Sequence, residues 1–239
     1  MVRTLSQIEL MYFLKRLFDF LLPRYCKVCG RRLDTSETHL CVSCYLSMPF
    51  LDYQGENLSP AERILLTEKN VVRAASVIQY EKESNYRRIL FHLKYWNHPE
   101  VGTWLAAIGA ERLAAQGFFE GVDAMVTLPL SAHKFRKRGY NQCDYIAQGV
   151  SRVTGLTLLN GAVERDVEHQ RQAGLGRYQR WGNAEGLFSV PHPELLEGRH
   201  ILLLDDVMTT GATLCSLIDV INQCVRDVRI SVFTLAIAL

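Results

Sequence analysis

Residues 201–204, Ile-Leu-Leu-Leu, form a continuous apolar run that ends against two acids, the pattern of a central parallel strand covered on both faces. Residues 71–80, 123–129 and 229–238 also read as strands, with weaker strand patterns at 156–159, 162–165 and 187–190. Between them, apolar positions recur at helical spacing over 85–95, 101–116, 141–153 and 212–224. Strand and helix alternate, with no internal repeat and no low-complexity stretch. The expected fold class is α/β: a mostly parallel sheet flanked by helices.

At 239 residues the chain has room for one substantial α/β domain and a small accessory piece, not for two large domains. Its 27 basic and 25 acidic residues give a formal charge of +2, so bulk charge does not mark a nucleic-acid binder. Any such role must come from local patches. Residues 5–22 are apolar at helical spacing, but Glu9, Lys15, Arg16 and Asp19 interrupt them and no small-residue cleavage site follows. They fit neither a signal peptide nor a transmembrane helix. An amphipathic helix over 1–22, packed on the body or on a partner, is the expectation, with shallow membrane attachment as the alternative. With no export signal, the expected location is cytoplasmic.

That location bears on the seven cysteines. Cys26-Lys-Val-Cys29 and Cys41-Val-Ser-Cys44 are two Cys-x-x-Cys pairs flanking a polar, turn-rich stretch. Each pair turns tightly enough to aim two thiolates at one ion, which suits a tetrahedral Cys₄ zinc site. Disulfides are the alternative, disfavoured in a reducing compartment. Four thiolates leave no open coordination position, so such a zinc is structural. Cys143, Cys215 and Cys224 fall in helical patterns without partners and read as small core residues.

The run that follows Leu204 carries the most specific chemistry. Asp205 and Asp206 can accept hydrogen bonds from the vicinal hydroxyls of a ribose, or help hold Mg²⁺ bridging it to a diphosphate. Val207 and Met208 lead into Thr209, Thr210, Gly211, Ala212 and Thr213, hydroxyls and unhindered N–H groups at the start of a helix. A helix N-terminus with free N–H groups attracts a phosphate dianion. The loop lacks the Gly-Lys-Ser/Thr ending of an ATP-binding P-loop. In order, residue type and length, 201–213 resembles the phosphoribosyl-pyrophosphate (PRPP) signature of type I phosphoribosyltransferases.

Three further segments are polar in an unusual way. Lys94 and Tyr95 end an apolar helix face, where a solvated cation is the ordinary reading. Residues 133–138 gather Lys134, Arg136, Lys137 and Arg138 on what reads as a loop after the strand ending at Pro129, opening into a helix that Gly139 or Asn141 caps. Cations there are placed to neutralise a diphosphate, with a solvated basic loop as the alternative. Residues 165–183 hold Arg165, Arg171, Gln172, Arg177, Arg180 and Asn183 around two glycines, and read as a lid over the substrate or, alternatively, a surface loop without a role.

Together these segments resemble the ComF/GntX family across nearly the whole chain. The carriers are the cysteine box at 26–44, Leu93-Lys94-Tyr95, Pro129-Leu130, Arg138-Gly139-Tyr140-Asn141-Gln142, Gln172-Ala173-Gly174-Leu175 with Arg180 and Asn183, and 201–213. His169 stands where threonine is usual in the family and Tyr140 where phenylalanine is common.

The resemblance implies a cytoplasmic, competence-associated protein with a zinc ribbon over 23–50 and a type I phosphoribosyltransferase-like domain over 71–239. It also implies PRPP or a related ribose phosphate as ligand, structural zinc, and Mg²⁺ arriving with PRPP. Asp205 and Asp206 would be catalytic if the site turns over. Residues 205–213 would form the PRPP loop, and Lys94, Arg136, Lys137, Arg138, Gln172 and Arg180 would contact pyrophosphate or serve the lid. Two other roles fit the same residues: a PRPP sensor that does not transfer, and a non-catalytic adaptor docking a competence helicase, other DNA-uptake proteins or single-stranded DNA through the zinc module, the basic loops and Lys94-Tyr95-Trp96. No cysteine stands at the N-terminus as an amidotransferase nucleophile, so glutamine-dependent transfer is not expected.

Overall fold

Alternate side chains of a strand face opposite ways, and here both faces are apolar. The strand β6 (His200–Met208) sends Ile201 and Leu203 into one core and Leu202 and Leu204 into another. A strand buried on both faces belongs inside a parallel sheet. The computed structural model describes residues 22–53, 58–165 and 187–238. Its main sheet also contains β1 (Val71–Tyr80), β2 (Ala124–Thr127), β3 (Thr157–Leu158) and β7 (Arg229–Ala238). All pairings are parallel, in the spatial order β1-β7-β6-β2-β3. β4 (Glu164–Arg165) and β5 (Phe188–Ser189) form a separate antiparallel pair.

The helices lie on both faces. After the short α1 (Val42–Leu46) and α2 (Pro60–Ile64) come α3 (Arg87–Lys94) and α4 (Glu100–Ala114). α5 (Ala132–Arg138) and α6 (Gln142–Thr154) follow β2, and α7 (Ala212–Cys224) follows β6. Residues of α3, α4 and α6 share a core with Leu202, Leu204 and Phe233, whereas α7 packs over Ile201, Leu203 and Val232. α4 and α6 approach closely because residue 149 is glycine: a Cβ there would lie 2.3 Å from the Thr103 carbonyl oxygen.

This order creates a topological switch. From β2 the chain crosses to β3 on one side, and from β6 it crosses to β7 on the other. Between the carboxyl ends of β2 and β6 the connections diverge, and a crevice opens there.

The cysteine-rich segment does not stand apart. Phe50 bridges Ile78 on the edge of β1, flanked by Leu51 N–H to Val77 O at 3.0 Å and Gln79 N–H to Pro49 O at 2.9 Å. The rings of His39 and Tyr45 meet Trp104 of α4. Cys26, Val28, Leu33, Leu40 and Cys41 join the same core as α3, α4 and α6. Among the described residues no helix is long and apolar enough to cross a membrane. All but the last residue of the helix expected over 1–22, and most of the expected lid, lie outside the described residues.

Candidate functional site

A cleft of about 690 Å³ occupies the switch point. Asp205, Asp206, Val207 and Thr213 line it from the β6–α7 side, Lys134, Lys137 and Arg138 from α5, and Lys94 and Tyr95 from the end of α3. The acids do not follow the strand, as the apolar run suggested. They lie within β6, and Asp205 is paired with Thr234 of β7. The ladder thus fixes their backbone.

Asp205 is half-buried and Asp206 is 5% exposed. Asp205 Oδ1 accepts the Asp206 N–H at 2.7 Å and lies 3.8 Å from the buried Cys143 Sγ. Burial and the neighbouring Asp206 charge push the Asp205 carboxyl up to about 7. Asp206 Oδ1 is 3.0 Å from Lys94 Nζ, and its Oδ2 is buried without a hydrogen-bond partner among the described residues. Lys94 is therefore not the free helix-end cation that position suggests; it is tied to the acid pair.

Beyond the acids, Met208 is buried, while Thr209, Thr210, Ala212 and Thr213 are exposed at the loop. Gly211 initiates α7 at φ +75°, a conformation suited to glycine; it has no side chain to cap the helix, and Thr210 Oγ1 accepts only the Ala212 N–H, at 3.4 Å. Open N–H groups at the start of a four-turn helix suit an anion.

The basic segment is a helix rather than a loop. Ser131 caps its start, accepting the Lys134 N–H at 3.3 Å, and Gly139 ends it at φ +82°. Asn141 caps the next helix and donates to Leu128 O at 3.0 Å. Helical spacing explains which cations meet the cleft. Lys134, Lys137 and Arg138 stand at i, i+3 and i+4 and share a face, whereas Arg136 lines a separate groove with Phe135 and Glu164. Arg136 is thus set apart from the other predicted pyrophosphate contacts. Arg138 donates to Gln142 Oε1 and stacks on Tyr95, its guanidinium 5.6 Å from the ring centre. Gln172 and Arg180 lie outside the described residues.

The second candidate centre is the cysteine cluster. The Sγ atoms of Cys26, Cys29, Cys41 and Cys44 lie within 4.8 Å of one another, and Cys29 and Cys41 are 3.8 Å apart. A tetrahedron with Zn–S bonds of about 2.3 Å has edges of about 3.8 Å, so the four donors fit zinc. They are free thiols, not disulfides. Burial raises the Cys26 thiol, but backbone N–H groups of Cys29, Cys41 and Val28 outweigh it and bring it to about 7. Burial and the adjacent thiols push Cys44 up. Bound zinc would hold the two knuckles together. The chain's own brace is Glu37, whose carboxylate accepts the Asp34 N–H at 2.8 Å and the Val42 N–H at 2.7 Å.

No protein-family model matches the chain. DNA utilization protein YhgH of Escherichia coli (strain K12) is 27% identical over 195 residues, 80% of this chain and 81% of the relative. Its counterpart in Salmonella typhi is 25% identical over the same shares. Competence protein F of Haemophilus influenzae (strain ATCC 51907 / DSM 11121 / KW20 / Rd) is 36% identical over 93 residues, 38% of this chain and 41% of the relative. Over four-fifths of its length the chain is thus similar to DNA utilization proteins, and over a shorter stretch to a competence protein.

Two residues reach this cleft in a way their local sequence does not show. Arg165 was grouped with the lid, yet from β4 it lines the cleft, stacks on Phe188 at 5.3 Å and keeps a buried Nε without a partner among the described residues. Cys143 reads as core, and it is buried, but it also contacts Asp205. Neither has a local signal: only the fold brings β4 and α6 to the acids. Cys224, also read as core, is exposed.

Proposed function

We propose that the cleft binds PRPP or a related ribose 5-phosphate ester and, given an acceptor amine or base, transfers the phosphoribosyl group. The observation that carries this reading is the pairing, across one crevice, of two strand-borne acids beside an uncapped helix N-terminus with three cations on the facing helix. Ribose hydroxyls donate to Asp205 and Asp206, the 209–213 loop receives the 5′-phosphate, and Mg²⁺ travels on the diphosphate. Lys134, Lys137 and Arg138 stabilise the departing diphosphate as positive charge develops at the ribosyl carbon. Gln172 and Arg180 serve as lid contacts. On this reading 23–50 is a zinc-binding unit and 71–239 the phosphosugar unit of a cytoplasmic protein. The names of the relatives, DNA utilization and competence, point to DNA uptake as the setting.

Calorimetry of PRPP with Mg²⁺ tests this on the zinc-loaded protein. Micromolar binding lost in Asp205→Asn/Asp206→Asn is the expected outcome; absence of heat with the folded protein would sink it.

One observation favours a second role. Phe91, Tyr95 and Trp96 are 39%, 60% and 46% exposed at the end of α3, with Arg88 6.0 Å from the Trp96 ring centre. Aromatic faces next to cations suit unpaired bases, so an adaptor for single-stranded DNA or for DNA-uptake proteins is the alternative. A salt-sensitive mobility shift lost in Tyr95→Ala/Trp96→Ala supports it.

A further inference from the structure

Asp205 and Asp206 put two carboxylates side by side, an arrangement that ordinarily recruits a divalent cation. Here a protein cation is already in place. Lys94, the last residue of α3, holds its Nζ 3.0 Å from Asp206 Oδ1, with side-chain exposures of 23% and 7% for the two residues. An ammonium withdrawn this far from water, on a carboxylate buried to this degree, is a costly arrangement unless each group answers the other's charge. Arg165 adds a second, partly desolvated cation close enough to Asp205 to feel its charge.

The geometry also divides the carboxylate oxygens. Asp206 Oδ1 faces Lys94 and Asp205 Oδ1 accepts the Asp206 N–H, which leaves each acid one further oxygen. One of these, Asp206 Oδ2, is buried with no partner among the described residues. A buried carboxylate oxygen in that state marks a place where a ligand donor belongs. Two acceptor oxygens on adjacent residues match two vicinal hydroxyls, each bringing a proton to donate.

We propose that Lys94 is the site's built-in replacement for a divalent cation. Its ammonium neutralises the acid pair, so Asp205 and Asp206 accept a vicinal diol directly and exclude Mg²⁺ from their own oxygens. The cation exclusion stands on the geometry alone; the identity of the diol as a ribose 5-phosphate rests on the reading of the cleft given above.

The test is a titration of Mn²⁺ into the full-length, zinc-loaded protein, with free Mn²⁺ read by its electron paramagnetic resonance signal. Wild type and Lys94→Arg, which keeps a cation in place, should leave Mn²⁺ free up to millimolar concentration. Lys94→Gln and Lys94→Met should each take up one Mn²⁺ at least tenfold more tightly than wild type, and adding Asp206→Asn to either should abolish the gain. Wild-type binding of submillimolar Mn²⁺ that Asp206→Asn removes would overturn the proposal. So would folded Lys94→Gln and Lys94→Met proteins that gain nothing; retained zinc and circular dichroism report their folding.

A parallel titration uses ribose 5-phosphate in Mg²⁺-free buffer. Binding there, changed less than twofold by added Mg²⁺, is expected. Binding only after Mg²⁺ is added overturns the proposal. Binding under neither condition removes the phosphosugar reading and the diol assignment with it, while the Mn²⁺ arms still decide the role of Lys94.

Discussion

The Tyr140 hydroxyl donates to the Leu93 carbonyl oxygen at 2.6 Å, tying the Arg-Gly-Tyr-Asn-Gln string to the end of α3 one residue before Lys94. Arg138 reinforces the tie by stacking on Tyr95. Two motifs that are 47 residues apart are therefore one piece of structure. Tyr140→Phe keeps the ring against Tyr145 and removes the donor, leaving a helix-end carbonyl without it. We expect a loss of about 1 kcal/mol in denaturant unfolding with zinc content unchanged; an unaltered midpoint would show that water replaces the hydroxyl at no cost.

Much of this was legible from pattern alone, and what was not has a physical cause. β1, β7 and α7 follow from apolar runs and helical spacing, because burial on both sheet faces leaves a strong signal. The extension of β6 through Asp205 to Met208 was not legible, since carboxylates are disfavoured in strands and only the ladder to β7 holds them there. α5 was hidden for a related reason. It buries no residue, so it has no amphipathic pattern to read, and it is set by its caps, Ser131 and Gly139. Among the described residues, the acid pair, the small-residue loop at the start of α7 and the four cysteines could be named from spacing. Their actual partners, Lys94, Arg165 and Cys143, come from other elements and needed the fold.

The raised carboxyl of Asp205 makes stability depend on pH in a defined direction. Its folded value of about 7 exceeds the ordinary 3.8, so the native state binds more protons between those values and loses stability as pH rises through that window. Asp205→Asn cannot ionise. It should therefore be more stable than wild type at pH 8, by roughly 1–3 kcal/mol, with the gap closing as pH falls toward 5. Thermal melts at the two pH values check this, and a gap that widens at low pH would reverse the assignment. The same variant should lose phosphosugar binding, which separates stability from function at this residue.

Gly211 combines two constraints. At φ +75° it adopts a conformation costly for other residues, and an added Cβ would lie 2.5 Å from Ile64 Cγ2 of α2. Gly211→Ala should cost roughly 1–3 kcal/mol in stability and weaken phosphosugar binding at least tenfold, because the first N–H groups of α7 would shift. Combining it with Ile64→Ala relieves the clash but not the backbone strain. Partial recovery of stability is thus expected in the double variant; full recovery would mean that φ is not the constraint.

α3 joins the two candidate centres. At its start Tyr86 Oη donates to the Cys44 carbonyl oxygen at 2.8 Å, and at its end Lys94 meets Asp206 at 3.0 Å. The helix that runs from one to the other, Arg87–Lys94, is eight residues long, a rod of about 12 Å. Zinc held by the four thiolates would fix the carbonyl of Cys44 by fixing its thiolate, and would thereby anchor the first turn of α3. Stripping the metal, or Cys41→Ser, should free that anchor and loosen the seat of Lys94 on the acid pair. Amide hydrogen exchange across 87–94 is then expected to quicken, and ribose 5-phosphate affinity to fall about fivefold or more. Tyr86→Phe, which keeps zinc but cuts the tie, should reproduce part of both effects. If exchange in α3 is the same with and without zinc, the metal serves its own module only and the rod carries nothing between the two sites.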